Sequence, residues 1–133
     1  MPAMIEADNL TKYYGDFLGV QDVTFEVEKG EILGLLGPNG AGKTTTMRIL
    51  TGFMPPSSGS ARIAGFDATT QSLEARKHIG YLPETVPLYV DMTVSDYLGY
   101  MGILRGMQRS NVAARILEVI RMCRIEEYKD SHI

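Results

Sequence analysis

The sequence predicts an α/β fold, and three adjacent observations predict it. Glu31–Leu36 (EILGLL) is mostly apolar on both faces, as a strand inside a sheet would be. Gly37–Thr44 (GPNGAGKT) follows directly and fits G-x-x-x-x-G-K-[ST]. Thr44–Leu50 then reads as a helix, with Gly52 placed where a helix ends. A buried strand, a glycine-rich loop and a helix in that order are the context in which this motif holds phosphate.

The remaining elements follow along the chain. Val23, Phe25 and Val27 alternate with Thr24, Glu26 and Glu28, the pattern of a half-buried strand, and Lys29-Gly30 turns the chain. Pro55–Gly59 is a loop and turn, and Ala61–Phe66 reads as a strand. Ser72–His78 reads as a short helix and Ile79–Leu82 as another short strand, stopped by Pro83. The character changes after about Pro87. Thr93–Asp96 has the capping-box form, and an apolar stripe follows through Tyr97, Leu98 and Met101. Ser110 is placed to cap a second helix, with Val112, Ile116, Val119, Ile120 and Cys123 near one face. Met92, Met101, Met107 and Met122 are expected to pack within this helical part.

Composition narrows the function. The chain has 133 residues, 44% of them hydrophobic, which suits a folded domain with a real core. A net charge of −3 gives no basic excess of the kind that marks a nucleic-acid partner. The apolar runs are far too short to cross a bilayer, so any membrane role must come through a partner. Cys123 is the single cysteine, which excludes an internal disulfide and suits a reducing cytosol.

The loop carries the chemistry. The phosphates of a nucleotide crowd several negative charges into little space. Backbone N–H groups must converge on them, and glycine allows both the dihedrals and the close approach. The helix that follows aims its N-terminal N–H groups and positive dipole end at the same anion. The candidate phosphate residues are Gly37, Asn39, Gly40, Ala41, Gly42, Lys43, Thr44 and Thr45. Lys43 is expected to bridge the β- and γ-phosphates as a mobile point charge. The Thr44 hydroxyl is expected to ligate Mg²⁺, and Thr45 to reach a neighbouring phosphate oxygen.

The neighbours of the loop resemble the ATP-binding domain of ABC transporters over nearly the whole chain. Asn9–Gly15 (NLTKYYG) resembles the family's A-loop, and Val20–Gly52 is close to its pattern around the P-loop. Pro55–Asp67 resembles the strand and turn that follow, Ile79–Glu84 (IGYLPE) falls where the Q-loop belongs, and Met92–Gly106 resembles the start of the helical subdomain. The wording is nearest to exporter-type members paired with ABC-2-like permeases. The resemblance implies a P-loop NTPase fold, a RecA-like core with an antiparallel β subdomain and the start of the helical subdomain. It divides the chain into residues 1–88 (β subdomain and first part of the ATPase core) and 89–133 (start of the helical subdomain). It implies ATP and Mg²⁺ as cofactors, with Tyr14 stacking on adenine. Tyr13 is the competitor for that role, since the two residues face opposite ways on a strand. It further implies a membrane permease and a second ATP-binding domain as partners, no nucleic acid, and a peripheral place on the cytoplasmic face of the membrane.

Two features depart from the family pattern. Glu84 stands where a Q-loop glutamine is usual; a carboxylate can ligate Mg²⁺ at least as well as an amide. Residues 85–133 hold no Ser-Gly-Gly signature, no apolar strand ending in Asp-Glu, and no switch histidine. No catalytic residue is therefore assigned in this chain, and the sequence reads as the N-terminal part of a longer, incomplete domain, inactive in hydrolysis alone. Glu31–Leu36 is accordingly expected to lack strand partners on either side. Two alternatives stand beside this reading. One is another P-loop NTPase, although the Asn-Lys-x-Asp base reader of GTPases does not occur. The other is a non-hydrolysing nucleotide-binding or interaction module.

Overall fold

A computed structural model describes residues 2–133, in two compact units that meet in sequence between Tyr81 and Leu82. The first unit contains β1 (Ile5–Tyr14), β2 (Phe17–Val27), α1 (Lys43–Leu50), β3 (Ser58–Ile63), β4 (Phe66–Asp67) and α2 (Ser72–Arg76). Its four strands form one antiparallel sheet in the order β2-β1-β3-β4. A tight turn joins β1 to β2, where Tyr14 pairs with Phe17. Ala64 and Gly65 both have positive φ and join β3 to β4 by a two-residue hairpin. β1 is irregular between Ala7 and Leu10, where Asn9 takes φ 47° and its N–H bonds Thr24 Oγ1 at 2.9 Å. That bulge bends the central strand, and Gly59 lies so close that a Cβ there would sit 2.3 Å from the Asn9 carbonyl oxygen.

The core of this unit forms where α1 and α2 meet the sheet. Ala7, Leu10, Val20, Ala61 and Ile63 come from the strands, Ile49 and Leu50 from α1, and Ala75 from α2. In α1 the buried residues are Thr46, Ile49 and Leu50, the i, i+3, i+4 spacing of one helix face. The buried Thr46 hydroxyl donates to the Gly42 carbonyl at 2.8 Å, so no polar group is stranded there. Gly52 closes the helix, as its sequence position predicts: its N–H bonds Ile49 O at 3.1 Å and the Phe53 N–H bonds Arg48 O at 2.8 Å. Between β4 and α2, the N–H groups of Thr70 and Thr69 donate to the Asp67 carboxylate at 2.7 and 2.9 Å and hold its pKa below the ordinary value.

Two expected strands do not form. Glu31–Leu36 runs without regular structure, with Ile32 97% and Leu36 100% exposed. Ile79–Leu82 is likewise not a strand, and Leu82 is 80% exposed. Their apolar composition is that of buried strands, but a strand needs a neighbour for its N–H and C=O groups. Among the described residues the only sheet is β2-β1-β3-β4, and neither segment pairs with it.

The second unit is helical. α3 (Val94–Leu104) starts at the predicted cap, with the Thr93 hydroxyl accepting from the Asp96 N–H at 3.2 Å. α4 (Arg109–Cys123) begins one residue before Ser110, so Gln108 and not Ser110 stands at its N-cap. Gly99 and Gly102 of α3 face Ile116 and Val112 of α4, with room for no more than ordinary contact. Leu98, Met101, Met107 and Val119 join them around the apolar surface between the helices. Ile120 is buried, whereas Met122 and Cys123 face solvent, so these two depart from the expected packing. After a 3₁₀ turn at Glu126–Tyr128, the chain returns to the start of α3: the Ser95 N–H and hydroxyl both donate to Lys129 O at 3.0 Å, and the Val94 N–H donates to Ser131 O at 3.0 Å. Among the described residues no helix is long and apolar enough to cross a membrane.

Candidate nucleotide-binding site

The candidate site lies in the first unit, where the Gly37–Gly42 loop runs into α1. The Ala41 N–H donates to Pro38 O at 3.1 Å and closes a turn, with Asn39 and Gly40 exposed at its tip. Gly40 and Gly42 have φ of 84° and 92°. Gly42 is the N-cap of α1, and with no side chain it gives no side-chain cap. The Thr46 N–H is bonded to Gly42 O at 2.9 Å. The first N–H groups of a helix have no intrahelical acceptor, so those of Lys43, Thr44 and Thr45 open this helix as a site for an anion.

Gly42 also fixes the loop to the sheet. A Cβ at this position would lie 2.8 Å from Gly19 O and 3.0 Å from Val20 Cβ, so the loop backbone rests directly on β2. Lys43 folds back over its own loop: its ammonium donates to Gly37 O and lies 3.4 Å from Pro38 O. Those carbonyls hold the cation beside the helix N-terminus, where an anion would face it. Thr44 is exposed at the start of α1.

Tyr14 comes to the same place from the end of β1. Its hydroxyl is 3.2 Å from Thr45 Oγ1 and 3.2 Å from Met54 Sδ. Its ring lies over Gly19, where a Cβ would be 2.7 Å from Tyr14 Cε2, and Lys12 Nζ is 5.9 Å from the ring centroid. The Tyr13 N–H is instead tied to Ser57 Oγ at 2.9 Å. The Tyr14 side chain meets α1 through its hydroxyl. Gly19 and Met54 have no motif to mark them in the sequence, and only the fold brings them to Tyr14.

Glu84 belongs to the second unit and is exposed. Among the described residues no cluster of three or more His, Cys, Asp or Glu is placed to hold a metal ion. The donors the sequence nominates, the Thr44 hydroxyl and the Glu84 carboxylate, are hard oxygen ligands. Oxygen donors of this kind suit Mg²⁺, which keeps several waters and relies on substrate phosphates instead of an all-protein cage.

Comparison with known proteins decides the family. The model of the ABC transporter family matches residues 20–133, from β2 through the loop and α1 to the end of the chain. The chain belongs to the ABC transporter family. Over 118 residues it is 43% identical to the probable multidrug ABC transporter ATP-binding protein YbhF of Escherichia coli, covering 86% of this chain and 20% of the relative. It is 42% identical to an uncharacterized ABC transporter ATP-binding protein of Methanocaldococcus jannaschii, over all of this chain and 46% of the relative. It is 35% identical to the Nod factor export ATP-binding protein I of Cupriavidus metallidurans, over all of this chain and 44% of the relative. A solved ATP-binding subunit of an ABC transporter superposes with a TM-score of 0.85 at 31% identity, over 97% of this chain and 54% of that one. The chain therefore spans about half or less of the ABC proteins it matches. The α/β fold with an antiparallel sheet is the fold of part of an ABC ATP-binding domain.

Proposed function

We propose that this chain is the nucleotide-gripping part of an ABC transporter subunit that binds MgATP and powers a membrane permease. The observation that carries the proposal is the open N-terminus of α1, seated on β2 through Gly42, with Lys43 held beside it and Tyr14 reaching Thr45. Gly37, Asn39, Gly40, Ala41 and Gly42 wrap the phosphates. Lys43 neutralises the β- and γ-phosphates, Thr45 bonds a neighbouring phosphate oxygen, and the Tyr14 ring takes the adenine face. An aromatic face packs on any purine, so Tyr14 supplies adhesion more than base identity.

Thr44 is proposed as a ligand of Mg²⁺, which would offset the charge of the triphosphate when bound, and Glu84 is proposed separately as a carboxylate that responds to the metal. Residues 1–88 correspond in this reading to the β subdomain and first part of the ATPase core, and 89–133 to the start of the helical subdomain. The partners are an ABC-2-like permease and a second ATP-binding domain, at the cytoplasmic face of a membrane. Relatives named for multidrug transport and Nod factor export support the exporter assignment. No general base is assigned within the 133 residues, so binding, and not turnover, is the activity expected of them alone.

Equilibrium binding of ATP across a Mg²⁺ titration tests this. The chain is expected to bind ATP more tightly with Mg²⁺ than without, and Glu84→Gln is expected to need more Mg²⁺ for half-maximal effect. An unchanged Mg²⁺ midpoint removes Glu84 as a metal ligand. ATP binding that ignores Mg²⁺ altogether removes Thr44 as well.

A further inference from the structure

We propose that the Tyr14 phenol is a positioning residue for the phosphate contact of Thr45, acting through a three-membered relay Met54–Tyr14–Thr45. The inference rests on the reading of Gly37–Thr45 as a nucleotide site and gives Tyr14 a second task, separate from stacking on a base. The relay joins the end of β1 to two places far along the chain, the first turn of α1 and the loop after it. Tyr14 Oη lies 3.2 Å from Thr45 Oγ1 and 3.2 Å from Met54 Sδ.

The proton count gives the relay two arrangements. Tyr14 and Thr45 each carry one hydroxyl proton. In the first arrangement Tyr14 donates to the Met54 thioether and Thr45 donates to the Tyr14 oxygen. In the second, Tyr14 donates to Thr45 Oγ1, and the Thr45 proton is free to point at an anion at the start of α1. No proton changes owner; two O–H bonds rotate. The thioether is a weak acceptor, so Tyr14 gives it up at small cost. A hydroxyl-to-phosphate bond is charge-assisted and about twice as strong as a neutral one. An anion at the loop therefore selects the second arrangement, and Tyr14 then holds the Thr45 hydroxyl in the rotamer that donates to phosphate. Gly19 permits this, because its missing side chain leaves the Tyr14 ring room to lie where its hydroxyl meets α1.

The test uses a probe with no base. Binding of Mg²⁺-tripolyphosphate and of MgATP is measured for the chain, Tyr14→Phe, Thr45→Val and the double variant. Tyr14→Phe keeps the ring and removes only the phenol, so it separates the relay from stacking. It is expected to weaken both ligands to the same extent, by about threefold to tenfold, the worth of one hydrogen bond. In the Thr45→Val background it is expected to cause no further loss. Tripolyphosphate binding that is unchanged or tighter in Tyr14→Phe overturns the proposal, and so does a loss that persists without the Thr45 hydroxyl. Failure of the underlying site reading looks different: the unaltered chain then shows no saturable tripolyphosphate binding.

Discussion

Lys43→Ala is expected to lower MgATP affinity by about tenfold to a hundredfold while leaving the fold intact. In the free chain the ammonium is held by Gly37 O and lies near Pro38 O. Those carbonyls keep the cation at the loop but satisfy it no better than water would. A triphosphate offers full negative charge instead of carbonyl dipoles, and hydrogen bonds to charged groups contribute about 1.5–3 kcal/mol each. At about 1.4 kcal/mol per tenfold, that is the stated loss. The core of the first unit does not include Lys43, so its circular dichroism and melting temperature are expected to stay near those of the unaltered chain. Isothermal titration calorimetry beside a melting curve checks both halves. Full affinity in Lys43→Ala would remove the loop from the binding site.

The second large effect belongs to Gly42→Ala, and it falls on folding and binding together. Gly42 has φ 92°, and the left-handed region costs a residue with a Cβ about 1–2 kcal/mol. The added methyl would also meet Gly19 O at 2.8 Å and Val20 Cβ at 3.0 Å, neither of which can swing aside without moving β2. Overpacking of that kind adds about 1–3 kcal/mol. Either the loop lifts off the strand and the helix N-terminus loses its aim, or the strain stays and the unit loses stability. MgATP affinity is expected to fall more than about tenfold when the loop moves by even one ångström, by the sensitivity of preorganised sites to misplacement. Gly40→Ala is the control. Gly40 shares a positive φ of 84° but has nothing within 4 Å of a built Cβ, so only the dihedral cost applies. Equal losses of stability in the two variants would contradict the close-approach account of Gly42.

The part of the site that sequence makes legible is the part that is local. Gly37–Thr45 is contiguous, and its chemistry follows from residue type and spacing alone. Thr93 is readable for the same reason: its hydroxyl needs only the Asp96 N–H three residues on. Gly52 ends α1 through bonds that reach back three to five residues. Where a feature depends on distant chain, the sequence is silent or misleading. Tyr14 meets Thr45 across 31 residues and Met54 across 40, and no spacing rule joins them. Glu31–Leu36 shows the reverse case. Its apolar pattern reports the surroundings a strand would need, but a strand exists only where a second one supplies its hydrogen bonds. The antiparallel sheet of this chain leaves Leu36 in solvent. The α4 boundary is a smaller example: Ser110 is the better capping residue, yet the chain enters the helix one residue earlier, at Arg109.

In the proposed site a triphosphate is held by backbone N–H groups at the Gly37–Thr45 loop. Backbone amide NMR of the chain during a MgATP titration tests it most directly, because it reads those N–H groups one by one. Saturable shifts are expected, largest at Gly40–Thr45, with Tyr14 moving in the same titration. Saturable binding with the loop amides unmoved, or no binding at millimolar MgATP, would contradict it.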